Sequence, residues 1–200
     1  MKVLVACEFS GVVRDAFAAA GHDAWSCDLL PTERPGQHIQ GDVLDVLNDG
    51  WELMVAHPPC TYLARSGARW WPDLPPGAQQ AALDLVRALL EAPIRHIALE
   101  NPPGAISTHI RPADQYIQPW QFGHGEVKTT GLWLKNLPRL RATHRVEGRV
   151  PRVHFAAPGP ERWKERSRTL EGVARAMAAQ WGDVQWRPLE LERQLELAWS

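Results

Sequence analysis

The sequence has little cysteine, little net charge and no long apolar run. Its three cysteines, Cys7, Cys27 and Cys60, show no C-x-x-C spacing, which argues against a zinc site and against a disulfide framework. A net charge of −1 over 200 residues excludes a global basic field of the kind that advertises nucleic-acid binding by itself. The opening MKVLVACEF is strand-like, too short for a signal peptide and followed by no small-residue cleavage site. No segment approaches the roughly 20 apolar residues of a membrane span. There is no internal repeat, no low-complexity tract and no G-x-G-x-x-G. Together these absences predict a soluble, cytoplasmic protein of a reducing compartment, without membrane or metal partners.

What is present suits a single catalytic domain over residues 1–182 with a C-terminal tail at 183–200, because 44% of the residues are hydrophobic. The charge is unevenly spread. Between Gly125 and Arg175 there are 12 Lys and Arg against 5 Asp and Glu, so one basic face can meet a phosphate-bearing partner. KVLVAC (2–7) reads as a buried strand, VVRDAFAAAG (12–21) as a helix, HDAWSCDLL (22–30) as a strand and 31–40 as loop. WELMVAH (51–57) is a third strand, 61–77 loop, AQQAALDLVRALLEA (78–92) an amphipathic helix stopped by Pro93, and IRHIALE (94–100) a fourth strand. VKTTGLWLKNLP (127–138) reads as a late strand or hairpin, 140–161 as irregular and LEGVARAMAAQW (170–181) as a helix. Strands alternating with helices at this spacing predict an α/β fold with a mostly parallel sheet and flanking helices.

Three constellations carry chemistry. A strand followed by Phe9-Ser10-Gly11 and a helix would leave backbone N–H groups free for a nucleotide-like cofactor or anion, and Asp28 closes the second strand where an acid can accept hydrogen bonds from ribose hydroxyls. In His57-Pro58-Pro59-Cys60 the two prolines fix an extended chain that presents Cys60 at the carboxyl edge of the sheet. That position fits poorly with a cysteine acting as a small buried hydrophobe, the reading that suits Cys7 and Cys27. At the end of the fourth strand stands Glu100-Asn101-Pro102. A partly buried carboxyl there is expected to have a raised pKa and to act as a proton donor beside a nucleophile.

Phe9-Ser10-Gly11, Asp28, Gly41-Asp42, Pro58-Pro59-Cys60 and Glu100-Asn101-Pro102 occur in the order and approximate spacing of the DNA cytosine-5 methyltransferase family. That family is marked by an FxGxG turn, an acid after strand two, an aspartate after strand three, a PCQ loop and an ENV tripeptide. Phe122–Thr130 resembles its GxPQxRxR segment, and the helix beginning near Thr169 falls where its last motif returns to the cofactor. The resemblance implies a Rossmann-like fold dependent on S-adenosyl-L-methionine. It also implies methyl transfer to carbon 5 of cytosine in DNA. Cys60 would add to carbon 6, Glu100 would bond N3 and the exocyclic amine, Asn101 would hold the Pro-Cys loop, and Lys128 would match an arginine that contacts phosphate or the catalytic loop. The cofactor residues implied are Phe9, Ser10, Gly11, Asp28, Leu29, Asp42, Val43, Pro58 and Thr169. Short members of this family are often phage-encoded.

The departures bear on the substrate. The turn lacks the second glycine of FxGxG, Thr61 replaces the glutamine, ENP replaces ENV, and Thr130 stands where the family places the arginine that contacts the base's O2 oxygen, leaving Arg65 or Arg69 as candidates for that contact. The family inserts a target-recognition region of on the order of 100 residues, domain-sized. Here a basic stretch of about 30 residues, roughly 135–165, fills the place with Lys135, Arg139, Arg141, Arg145, Arg149, Arg152, Arg162 and Lys164. Basic residues position a phosphate backbone without reading bases, so relaxed sequence specificity is expected on DNA. A pyrimidine nucleotide of the dCMP type, which needs no base flipping, is the alternative substrate. A catalytically silent nucleic-acid-binding relative is the third reading. Of the ten tryptophans, Trp25, Trp51, Trp133 and Trp181 read as core, whereas Trp70 and Trp71, in the loop after Cys60, are candidates to stack on a base.

Overall fold

The computed structural model of the chain describes residues 1–151 and 162–183. Seven strands form one sheet: β1 (Lys2–Ala6), β2 (Asp23–Asp28), β3 (His38–Gln40), β4 (Leu53–Ala56), β5 (His96–Asn101), β6 (Gln115–Ile117) and β7 (Thr130–Lys135), in the spatial order β3-β2-β1-β4-β5-β7-β6. β1, β2, β3, β4 and β5 run parallel, while β7 lies antiparallel between β5 and β6. The helices are α1 (Val12–Ala19), α2 (Ala78–Glu91), α3 (Ala105–His109), α4 (Arg162–Ser167) and α5 (Glu171–Trp181). This is a Rossmann-like α/β arrangement, as expected.

The apolar runs become strands because both faces of the sheet are covered, which lets central parallel strands be continuously hydrophobic. Side chains alternate between the faces. Val3 and Val5 of β1, Leu53 and Val55 of β4, Ala98 of β5 and Leu132 of β7 share a core with Val13 and Phe17 of α1 and Met177 and Trp181 of α5. Their neighbours Leu4, Ala6, Met54, Ala56, Ile97, Leu99 and Trp133 pack on the other face with Leu83, Val86 and Leu89 of α2 and Ala105 and Ile106 of α3.

Several expectations change. A short strand, β3, lies inside the expected loop 31–40, where its backbone follows β2 in register from Ser26↔His38 to Asp28↔Gln40. Three residues are too few for periodicity to reveal. The expected loop 61–77 contains a 3-10 helix at Arg65–Asp73. β6, α3 and α4 carried no clear sequence signal; β6 forms because β7 supplies an antiparallel partner from Ile117↔Thr130 to Gln115↔Leu132. Cys7 sits past the end of β1 in a left-handed conformation (φ 57°) and is partly exposed rather than within the strand. Trp51, Trp133 and Trp181 are buried. Trp25 is half-buried instead, its indole N–H donating to Asp23 Oδ1 at 3.0 Å. Of the stretch 140–161 expected to be irregular, 152–161 lie outside the described residues, as does the tail from 184 onward. Among the described residues no helix is long and apolar enough to cross a membrane.

Candidate active site

The strand order places the site. β1, β2 and β3 step away in one direction and β4 and β5 in the other, so the chain leaves β1 and β4 on opposite sides of the crevice at their carboxyl ends, where ligands of open α/β sheets bind. β1 delivers Cys7–Gly11 there, β4 delivers His57–Cys60 and β5 delivers Glu100-Asn101. Because β7 runs antiparallel, its beginning brings Lys128 and Thr130 to the same edge.

The loops after β4 and β5 are fastened together. Asn101 Nδ2 donates to the Pro58 carbonyl at 2.8 Å, Arg65 N–H to the Pro103 carbonyl at 2.9 Å and Ala105 N–H to the Leu63 carbonyl at 2.8 Å. Gly104 permits this, since a Cβ on it would lie 1.9 Å from the Leu63 carbonyl oxygen. Two further bonds, Leu63 N–H and Ala64 N–H to the Cys60 carbonyl at 3.0 and 2.9 Å, shape the turn that carries the cysteine.

Cys60 is partly buried. Burial pushes its thiol pKa up from the ordinary value and the Glu100 charge adds to this, while Lys128 and Arg166 pull it down. The resting group is therefore a thiol with two cations beside it, not a standing thiolate. Glu100 departs from expectation. Burial alone would raise its carboxyl, but the hydrogen bond from His57, the charge of Lys128 and the Thr130 hydroxyl outweigh burial and hold it below the ordinary carboxylate value. The expected raised pKa is thus corrected: in the free protein Glu100 is an acceptor. His57 Nδ1 lies 2.9 Å from Glu100 Oε2.

The residues expected at the cofactor divide into two groups. Phe9, Ser10 and Thr169 line one cleft together with Cys7, Glu8, His57 and Arg168. Asp28, Leu29, Asp42 and Val43 stand apart from it, at the ends of β2 and β3. Asp28 is partly buried, its pKa raised by burial against the Leu30 N–H that donates to its Oδ1 at 2.9 Å. Asp42 is exposed and caps the 3-10 turn at Val43–Val46 by accepting from Leu44 N–H at 3.0 Å. Val43 is buried, Pro58 is buried, and Leu29 is 71% exposed.

The N–H groups at the start of α1 are not free. Glu8, buried just after β1, accepts from Val13 N–H at 2.7 Å, Arg14 N–H at 3.2 Å and Ser10 Oγ at 3.1 Å. A dinucleotide phosphate would meet this carboxylate rather than bare helix donors. A cofactor carrying a sulfonium and an ammonium fits it. The acids Asp28 and Asp42 and the exposed apolar Leu29 fit the ribose, amine and ring of an adenosyl group, so the residues present suit S-adenosyl-L-methionine.

A second cleft is lined by Glu100, Lys128 and Thr130 with Ile117, Pro119 and Thr169. Lys128 is held from both sides: its N–H donates to Gln118 Oε1 at 3.1 Å and its Nζ to the Arg168 carbonyl at 3.2 Å. Arg168 in turn pairs with Glu33 at 2.6 Å, which fastens the 168–170 segment to the loop after β2.

Four participants escaped the sequence reading: Glu8, His57, Thr130 as a neighbour of Glu100, and Arg166. Glu8 directly precedes the Phe9-Ser10-Gly11 turn and His57 opens the His57-Pro58-Pro59-Cys60 loop, the one signal that could have assigned them a role. Arg65 and Arg69 are exposed on the 3-10 helix, whereas Arg166 of α4 is near enough to act on Cys60. Trp71 packs against the core that holds Trp133 rather than standing out for a base.

No family model matches the chain, and no curated protein does so either. Among solved structures it resembles a chain described as a candidate DNA modification methyltransferase encoded within an E. coli prophage, at 15% identity and a TM-score of 0.47, over 78% of this chain. The chain spans 55% of that protein's length.

Proposed function

We propose that the protein transfers a methyl group from S-adenosyl-L-methionine to carbon 5 of cytosine in DNA through a covalent adduct at Cys60. The observation that carries this is the coupling of Cys60 to Glu100: two loops fastened by Asn101 and Gly104 bring a thiol and a carboxylate within electrostatic reach, with Lys128 and Arg166 beside the sulfur. Carbon 5 of cytosine is a weak nucleophile. Adding the Cys60 sulfur to carbon 6 makes it an enamine carbon, and the two cations lower the cost of ionising the thiol. Glu100 then faces the ring's polar edge, and Asn101 keeps the cysteine loop in place through Pro58. The bound cofactor supplies the electrophilic methyl group. Phe9, Ser10, Gly11, Pro58 and Thr169 would hold its methionine part, and Asp28, Leu29, Asp42 and Val43 its adenosine.

DNA is favoured over a free nucleotide by the basic stretch. In the described part of it, Arg149 lies over the Trp120 ring at 3.7 Å and Arg145 at 5.7 Å, which fixes two guanidinium groups on one platform suited to a phosphate backbone. The experiment measures methyl transfer from labelled cofactor onto duplex DNA, single-stranded DNA and dCMP in parallel. Label on DNA that disappears in Cys60→Ser supports the reading. Label on dCMP alone refutes DNA as substrate, and a fully active Cys60→Ser variant refutes the thiolate mechanism.

A further inference from the structure

His57 joins the two clefts. It lines the one that holds Glu8, Phe9 and Ser10, while its partner Glu100 lines the one that holds Lys128 and Thr130. The two side chains meet at 2.9 Å with only 9% and 12% of their surface exposed. The second imidazole nitrogen, Nε2, is buried and has no hydrogen-bond partner among the described residues. A buried polar atom without a partner is costly, so the ring is held here for its contact with Glu100 through Nδ1, and that contact needs a reason.

The chemistry of the pyrimidine supplies one. Neutral cytosine has a lone pair at N3, and an ionised Glu100 offers only lone pairs. The two repel unless a proton lies between them. Sulfur addition at carbon 6 makes this acute, because it pushes electrons through the ring toward N3. Resting on the cytosine reading above, we propose that His57 is the positioning residue that stores this proton and passes it through Glu100 to N3.

The step balances. Cys60 gives its thiol proton to water and takes one back when it leaves; its Sγ bonds to carbon 6, the carbon 5–carbon 6 π bond breaks, a proton passes from His57 Nδ1 to Glu100 and from Glu100 to N3, and the imidazole is left neutral. Carbon 5 takes the methyl group while the departing sulfur keeps the electron pair of the broken S–C bond. A base then removes the carbon-5 proton, the carbon 6–sulfur bond breaks with its pair returning to Cys60, and the N3 proton goes back to the Glu100–His57 pair. One proton is released per turnover.

Around the pair, Lys128 acts on Glu100, Glu100 acts on Cys60, which Arg166 also influences, and Cys7, Glu8 and Arg168 line the cleft that His57 lines. Cys60 ionisation raises the rate with pH, and loss of the stored proton lowers it again, so a bell-shaped profile is expected.

The test compares wild type with His57→Asn, whose amide nitrogen stands about where Nδ1 does but cannot hold a further proton. His57→Gln is read in parallel so that the result does not depend on one variant folding, and thermal melting of each reports on the fold. The first readout is cofactor-free release of tritium from duplex DNA carrying [5-³H]cytosine, which needs sulfur addition, N3 protonation and exchange of the carbon-5 hydrogen with solvent, but no methyl transfer. The second is methyl transfer from pH 6 to 10. Both variants should lose about 100-fold or more near neutral pH, the scale of a positioned proton donor, and should lack the alkaline fall that wild type shows. A purely structural role would lower the rate equally at every pH. Wild-type-like exchange in either folded variant, or an alkaline fall that persists in it, overturns the inference. Wild-type protein inert on duplex DNA, single-stranded DNA and dCMP overturns the cytosine reading itself, a different outcome.

Discussion

Replacing Gly104 by alanine should disable the site while leaving the fold largely intact. The new Cβ would lie 1.9 Å from the Leu63 carbonyl oxygen, 2.8 Å from Arg65 N and 2.9 Å from the Leu63 carbonyl carbon, all of them backbone atoms that cannot swing aside. Reaching an ordinary contact of 3.4 Å requires the Leu63 segment and the Gly104 segment to part by about 1.5 Å. That separation removes the Ala105–Leu63 and Arg65–Pro103 bonds. At about 1 kcal/mol each, the loss is about 2 kcal/mol, which for a chain of this size lowers Tm by about 4–8 °C. The catalytic effect is larger, because Cys60 lies three residues before Leu63 and a misplacement of about 1 Å can cost about 100-fold. The assay is covalent capture of Cys60 by a duplex containing 5-fluorocytosine, with Tm measured on the same samples. Gly67→Ala in the same loop is the control, since its Cβ would meet Thr61 O at an ordinary 3.6 Å. If Gly104→Ala captured the trap within threefold of wild type, the fastening of the two loops would have no catalytic meaning.

Removing the cation at Lys128 with Lys128→Met should slow iodoacetamide alkylation of Cys60 by about three- to tenfold, the size of an effective interaction between neighbouring charges; peptide mapping reads Cys60 separately from Cys7 and Cys27, and an equal or faster rate refutes the assigned influence on the thiol. Alkylation of wild-type Cys60 should still be climbing at pH 9, because its pKa stands above the ordinary value of 9.0. Arg14→Met should destabilise the fold by about 3 kcal/mol, since Ser26 and the Arg34 and Pro35 carbonyls would lose a buried guanidinium partner and Asp15 its 2.7 Å ion pair; a melting temperature unchanged within 2 °C would count against it. Cys7 is pushed up by burial, with Asp28, Cys27 and Asp42 adding, to about 12. A folded-state value raised above the unfolded 9.0 contributes stability that is complete below pH 9 and lost between pH 9 and 12, up to about 4 kcal/mol. Denaturant titrations should show Cys7→Ala losing less stability than wild type across that window, and parallel losses would refute the assignment.

The parts of the fold that could be read from sequence are those whose signal is long. β1, β4 and β5 are apolar on both faces, which only a covered sheet explains, and α2 shows its stripe from Leu83 to Leu90. β3, β6 and α3 have three to five residues each and exist because a neighbour offers backbone groups, which composition does not record. The site divides in the same way. Cys60, Glu100 and Asn101 stand at the ends of readable strands. Glu8 was missed because a carboxylate after a strand resembles any surface acid until Val13 and Arg14 are seen donating to it. His57 was missed because its role depends on a residue 43 positions away. The expected pKa of Glu100 had the wrong sign for the same reason: burial was foreseeable, but the opposing partners were not.

The charges at the two ends of the crevice divide in a way that fits the proposed pairing of a cationic methyl donor with an anionic acceptor strand. Around β1, β2 and β3 the acids at the edge are Glu8, Asp28 and Asp42, with Arg168 lining the same cleft as Glu8, and the dipole of α1, which would otherwise favour an anion, is already met by Glu8. Around β5, β7 and α4 they are Lys128 and Arg166, with Arg145 and Arg149 stacked on Trp120 farther along the chain. On the proposed function, the first group would attract the sulfonium, and the second the phosphate backbone and the ionising thiol. Glu100 breaks the pattern as a carboxylate on the basic side, where it opposes ionisation of Cys60. An acid in that place works against the thiol unless it carries a proton when substrate arrives, and the group within reach to supply one is His57, at the boundary between the two halves.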